Sequence, residues 1–101
     1  MTAYMIVTAK IADRDAFIRG YGVAAAKLVE QCGGKYVLRG PGVSLLEGDF
    51  GESASMVISE WPDRATAEAF WNSPEYADVK KLRAGIADCQ VLLIEAPKIN
   101  G

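Results

Sequence analysis

Apolar residues recur along this chain with two different periods, and the changes of period mark its elements. Tyr4-Met5-Ile6-Val7-Thr8-Ala9 is a short β-branched, apolar run and predicts a first strand. Asp13 follows as an N-cap, with Asp15 in the first turn, where the helix dipole favours an acid. Phe17, Tyr21, Ala24, Ala25, Leu28 and Cys32 then recur at three- and four-residue steps, the apolar stripe of an amphipathic helix. Gly33-Gly34 ends that helix, since glycine takes the left-handed conformation past a C-terminus at little steric cost. Gly20 and Gly22 sit inside it, each at about 1 kcal/mol relative to alanine, and predict a kink or a close backbone approach.

Lys35–Arg39 and Val43–Glu47 predict two arms of a second strand region, interrupted by a Gly40-Pro41-Gly42 turn or bulge. Gly48–Ser53 is a polar loop, and Ser55–Trp61 reads as a third strand. Pro62 stops that strand and Asp63 caps a helix carrying Ala67, Phe70 and Trp71. Ser73 followed by Pro74 starts another helix, because proline lacks the N–H that would be orphaned there. Tyr76, Val79, Leu82 and Ile86 carry its apolar stripe, and Cys89–Ala96 is the last strand. The order β-α-β-β-α-β is the ferredoxin-like plan of an α+β domain, with a four-stranded antiparallel sheet. Right-handed crossovers place both helical regions on one face of that sheet.

A sheet with one wet face alternates apolar and polar residues. These strands do not. Strand one offers Tyr4, Ile6 and Thr8 on one side and Met5, Val7 and Ala9 on the other. Strand three sets Met56 and Ile58 against Val57 and Trp61, and strand four sets Val91 and Leu93 against Leu92 and Ile94. The helices cover one apolar face. A second copy of the chain, packed sheet to sheet, is the economical cover for the other.

Composition narrows the classes. The 101 residues make one domain, and 50% hydrophobic with 24% charged residues is an ordinary globular balance. A net charge of −2 disfavours nucleic acid as a partner, which would need a basic face to exchange for counterions. No basic amphipathic stretch suits a membrane surface, and no apolar run approaches the length of a span. Cys32 and Cys89 have no CxxC spacing and read as reduced thiols; with no basic leader before the first strand, the expected setting is the cytoplasm. The chain contains no histidine, which removes the commonest general base and the usual haem and zinc ligand. No cofactor is expected, since neither a GxGxxG nor a P-loop pattern occurs.

Several blocks together resemble the DUF1330 family: Gly33-Gly34-Lys35-Tyr36-Val37-Leu38-Arg39-Gly40, Leu46-Glu47-Gly48-Asp49, Glu60-Trp61-Pro62 and Phe70-Trp71-Asn72-Ser73-Pro74-Glu75-Tyr76. The resemblance runs nearly end to end and implies a dimeric α/β barrel. It implies no activity, because the family is a domain of unknown function. Departures include Pro41 in what is usually a Gly-Gly turn, and Ser53-Ala54-Ser55 where basic residues are usual.

Two residues are candidates for catalysis. Arg39, at a strand end beside a glycine turn, has the planar fork that pairs with a carboxylate; its plainer alternative is a structural salt bridge. Glu60, near the end of an apolar strand, would have its pKa raised by burial as a general base requires; its alternative is a pair with Arg39, Arg83 or a lysine. Tyr4, Trp61, Trp71 and Tyr76 suit the walls of a ligand pocket, or core and interface packing. Arg83 suits an anion, or an ion-paired helix face. Glu47 and Asp49, two carboxylates on a loop, are too few oxygen ligands for a calcium site and read as solvated loop charges. By analogy with other dimeric α/β barrels, which include monooxygenases and lactone isomerases, the expected function is a cofactor-free enzyme on a small organic metabolite. A non-catalytic binding or sensing domain, and a purely structural dimer with a filled interior, are the alternatives. Fold alone does not choose among them.

Overall fold

The strand with the longest two-sided apolar run sits where both its edges are paired. In a computed structural model, which describes residues 1–99, β1 (Thr2–Ile11) lies inside the sheet between β3 (Ser55–Trp61) and β4 (Ala87–Ala96). β2 (Lys35–Gly40) adds to the far edge of β3, giving the order β2-β3-β1-β4, antiparallel throughout. This is the predicted ferredoxin-like α+β arrangement.

The register assigns the faces. Ala3 pairs with Trp61, Met5 with Ser59 and Val7 with Val57, so these point to one side, and Ala3, Met5, Ala9, Ser59 and Trp61 are buried there beneath the helices. Tyr4, Ile6 and Thr8 pair with Glu60, Ile58 and Met56 on the other side. The molecule measures 37 × 35 × 17 Å, the thickness of one sheet and one helical layer. Nothing among the described residues caps the second side: Leu92 is 65% exposed, Ile94 51% and Leu38 49%.

The first helical region departs from the simple helix predicted. Asp13 caps α1 (Arg14–Ala16) by accepting from Ala16 N at 3.1 Å. Phe17–Gly22 is then π-helical before α2 (Val23–Gln31). The kink expected at Gly20 and Gly22 is this wider turn; a Cβ at Gly20 would meet nothing within 4 Å and one at Gly22 only the Phe17 carbonyl oxygen at 3.5 Å, an ordinary contact rather than a close approach. Gly33 and Gly34 have distinct causes. Gly33 takes φ +96°, the left-handed exit from the helix, whereas a Cβ on Gly34 would lie 2.7 Å from the Trp61 ring.

Three further expectations are corrected. Val43–Glu47 is not a strand. Only Val43 keeps ladder-like bonds, to Ser53 and Ala54, and Leu46 beyond it is 94% exposed. β4 begins at Ala87 rather than Cys89, paired with Ile11. The apolar stripe of the last helix ends at Val79: Leu82 is 48% exposed and Ile86 lies in a turn. The break near Asn72 is present, between α3 (Arg64–Trp71), capped by Asp63, and α4 (Pro74–Lys81), capped by Ser73. Among the described residues, no helix is long and apolar enough to cross a membrane.

Candidate functional site

The sheet separates the two candidates for catalysis. Arg39 pairs with Val57 and so belongs to the helix side, while Glu60 pairs with Tyr4 and belongs to the open side. Arg39, Trp61, Trp71, Tyr76 and Arg83 all lie on the covered side; Tyr4 and Glu60 do not. The candidates therefore form two clusters.

On the open face, cross-strand pairing brings Tyr4 and Lys35 to either side of Glu60. The Tyr4 hydroxyl donates to Glu60 Oε1 at 2.9 Å, Lys98 Nζ lies 3.1 Å from the same oxygen, and Lys35 Nζ lies 3.3 Å from Oε2. Hydrogen bonds from Lys98, Tyr4 and Lys35 hold the carboxyl at about 2, well below the ordinary 4.5. This overturns the expectation of a base with a raised pKa: donors to the charged form outweigh burial, and a carboxylate stabilised this way is a poor proton acceptor. A shallow cleft of about 430 Å³ opens beside it, with Gly33, Gly34 and Glu30 on its wall.

Under the helices the balance is reversed. Ser73 Oγ accepts from Tyr76 N at 3.1 Å and donates to Phe70 O at 2.8 Å, which turns the chain sharply from α3 into α4. Tyr76 thereby enters the core, 3% exposed, against Phe70 and Trp71 at ring separations of 4.6 and 5.1 Å. Its hydroxyl lies 2.8 Å from that of Tyr21, which the π-helical turn supplies. Arg83, in the turn after α4, lays its guanidinium 5.5 Å above the Tyr21 ring. It lies close enough to Tyr76 and to the Cys89 thiol of β4 for each to influence its charge. Arg83 Nε is buried, and among the described residues no group accepts its proton. An unmet buried donor costs on the order of 1–3 kcal/mol.

The surrounding groups are held neutral. Burial, then the neighbouring Tyr76, pushes the Tyr21 phenol far above its usual range. Burial also raises Tyr36 and Cys89, although Arg39 opposes the first and Arg83 the second. Burial lowers the Arg83 pKa, but Tyr76, Cys89 and Tyr21 outweigh it, so the guanidinium stays charged. Arg39 is exposed and stands over Tyr36, 5.9 Å from its ring, at the outer edge of this side. Trp61 stands on the wall of the cleft beside Glu60, as expected of it, but almost all of its ring is committed to the core. It is 1% exposed, donates to Ser59 Oγ at 2.9 Å and packs on Phe70. Trp71 is half-buried, with Lys80 Nζ 4.7 Å from its ring centre.

Tyr21 and Cys89 join the cluster without having been singled out as site residues, because each also fits an apolar stripe or strand. The available signal was Gly20-Tyr21-Gly22: two glycines inside a helix mark a departure from α geometry, and π-helical turns are frequent at functional sites.

These features define a ferredoxin-like α+β domain with a polar cluster between sheet and helices. A model of DUF1330, a domain of unknown function, matches residues 2–97, and the chain belongs to that family. A protein of unknown function from Rhodopseudomonas palustris has the same fold, with a TM-score of 0.76 and 21% identity over 97% of this chain and 84% of that one. SnoaB, a cofactor-independent oxygenase from Streptomyces nogalater, superposes with a TM-score of 0.68 and 15% identity over 97% and 95% of the two chains. A dimeric ferredoxin-like protein of unknown function from Jannaschia sp. gives 0.69 and 13% over 95% and 100%. No curated protein matches this chain.

Proposed function

We propose that this chain is a cytoplasmic homodimer, paired through its open sheet face, in which each copy binds a small organic molecule between sheet and helices. The observation that carries the binding site is Arg83 Nε, a charged donor buried among phenols with no acceptor among the described residues. Natural proteins seldom leave such a group unmet without a use for it. The pairing rests on Leu38, Leu92 and Ile94, which a second sheet about 10 Å away would cover, and on the dimeric Jannaschia protein of the same fold. The two free thiols suit a reducing compartment.

Turnover of the bound molecule without a cofactor is the further step of this reading. It is favoured by the fold shared with a cofactor-independent oxygenase and by Arg83 beside two phenols, an arrangement suited to stabilising an anion formed on proton loss. Glu60, on the other face, is not the base in this scheme. A fragment library screened by amide resonance shifts tests the site: shifts should gather at Tyr21, Trp71, Arg83 and Cys89. Shifts gathering at Lys35 and Glu60 would move the site to the open-face cleft. Consumption of a bound fragment in metal-free, aerated buffer separates an enzyme from a binding domain.

A further inference from the structure

We infer that the molecule held at Arg83 is a flat, unsaturated organic acid, its single carboxylate bound by Arg83 and its body lying against the aromatic side chains. This deepens the binding reading above and depends on it.

The charge follows from what the cluster lacks. Arg83 brings one positive charge, and no carboxylate pairs with it among the described residues. Burial raises the Tyr21 phenol and the Cys89 thiol beside it, so neither supplies the counter-charge. A guanidinium offers Nε and one Nη as parallel donors along one edge, matching the two oxygens of a carboxylate. The unmet atom is Nε, so the vacant valence belongs to that edge. A phosphate monoester brings about two charges and three acceptor oxygens, more than one guanidinium and two hydroxyls answer. The Tyr21–Tyr76 hydroxyl pair, 2.8 Å apart, shares one proton between its two oxygens and leaves the other to donate to the carboxylate.

The shape follows from the walls. Arg83 lies over Tyr21, Tyr21 packs at 5.1 Å on Phe17, and Trp71 packs at 5.1 Å on Tyr76. Ring faces reward a flat partner with stacking beyond the area it buries. The segment that must yield to admit it is the π-helical turn carrying Phe17 and Tyr21.

The test uses the full chain, with isothermal titration and amide resonance shifts as readouts. Benzoate, cinnamate and hexanoate are the acids; benzamide and cinnamamide are their neutral counterparts. Benzoate or cinnamate should bind and shift Tyr21 and Arg83, with the amides roughly ten- to a hundred-fold weaker and hexanoate weaker than cinnamate. Arg83→Gln should remove the preference for acid over amide, and Tyr21→Phe should weaken the acids while retaining part of that preference. Lys27→Gln, a distant surface change, should bind like the parent. Unfolding curves confirm that each variant is folded. Amides binding at the same resonances as tightly as acids would overturn the assignment of charge and leave the site standing. Hexanoate equalling cinnamate would overturn the flat body. No shift at the cluster with any probe would overturn both this assignment and the binding reading beneath it.

Discussion

On the open face of the sheet, Glu60 is met by two lysines and a tyrosine; beneath the helices, Arg83 keeps a buried Nε that nothing among the described residues meets. Both residues were candidates from their type and position, Glu60 for catalysis and Arg83 for holding an anion. Their surroundings separate them. A charge whose partners are all supplied by its own chain is already at its free-energy minimum and has little left to offer a ligand. A charge left short of partners is costly until something else supplies them.

The comparison can be broken at several points. The largest effect is expected from Ile94→Asp, which places a carboxylate on the apolar open face. Two equivalent Ile94 side chains would each forfeit about 1.5–3 kcal/mol of burial, so dimer affinity should fall by at least a hundred-fold. Sedimentation equilibrium should show the monomer mass with helix content kept; an unchanged dimer would mean that the open face is not the contact. Next in size, Gly34→Ala drives a methyl into the Trp61 ring at 2.7 Å and should cost about 1–3 kcal/mol, read from urea unfolding followed by tryptophan fluorescence.

Arg83→Met should behave in the opposite way. It removes the unmet Nε together with the contacts Arg83 makes to Tyr21, Tyr76 and Cys89, so the two effects should nearly cancel and leave stability within about 1 kcal/mol of the parent, while binding of the acid is lost. A loss of several kcal/mol would show that Arg83 is a structural brace. The smallest effect concerns acid. Glu60 is held at about 2 in the folded chain against an ordinary 4.5, so the unfolded chain takes up its proton first as pH falls. The stability this cluster gives is therefore complete above about pH 4.5 and lost progressively as the pH falls through about 2. Glu60→Gln lacks that loss, so its unfolding midpoint should approach that of the parent between about pH 5 and pH 2.5. A gap that stays constant over this range would remove the linkage.

Much of the fold was legible because its signals are local. Asp63 and Ser73 cap the helices the sequence assigns them to, since a side-chain oxygen three residues before an amide needs no distant partner. Val43–Glu47 was misjudged because a strand exists only where another backbone pairs with it. Beyond Val43 none does, whatever the propensity of Leu45 and Leu46. The site was legible only in part. Arg83 and Tyr76 were marked as candidates, but Tyr21 reaches them through a π-helical turn that periodicity counts as ordinary helix.

By itself the sequence determined the βαββαβ order, the caps, and a sheet apolar on both sides, because each depends on residues a few positions apart or on alternation within one strand. Only the tertiary structure decided which face each charge occupies. A bulge in β2 between Tyr36 and Leu38 and the pairing register of β3 put Arg39 and Glu60 on opposite sides. One step of register reverses every side chain of a strand, and that step is set by contacts between segments distant in the chain. The same is true of partners. Whether a charged group is satisfied depends on what the fold brings within about 3 Å of it, and no local pattern reports that distance.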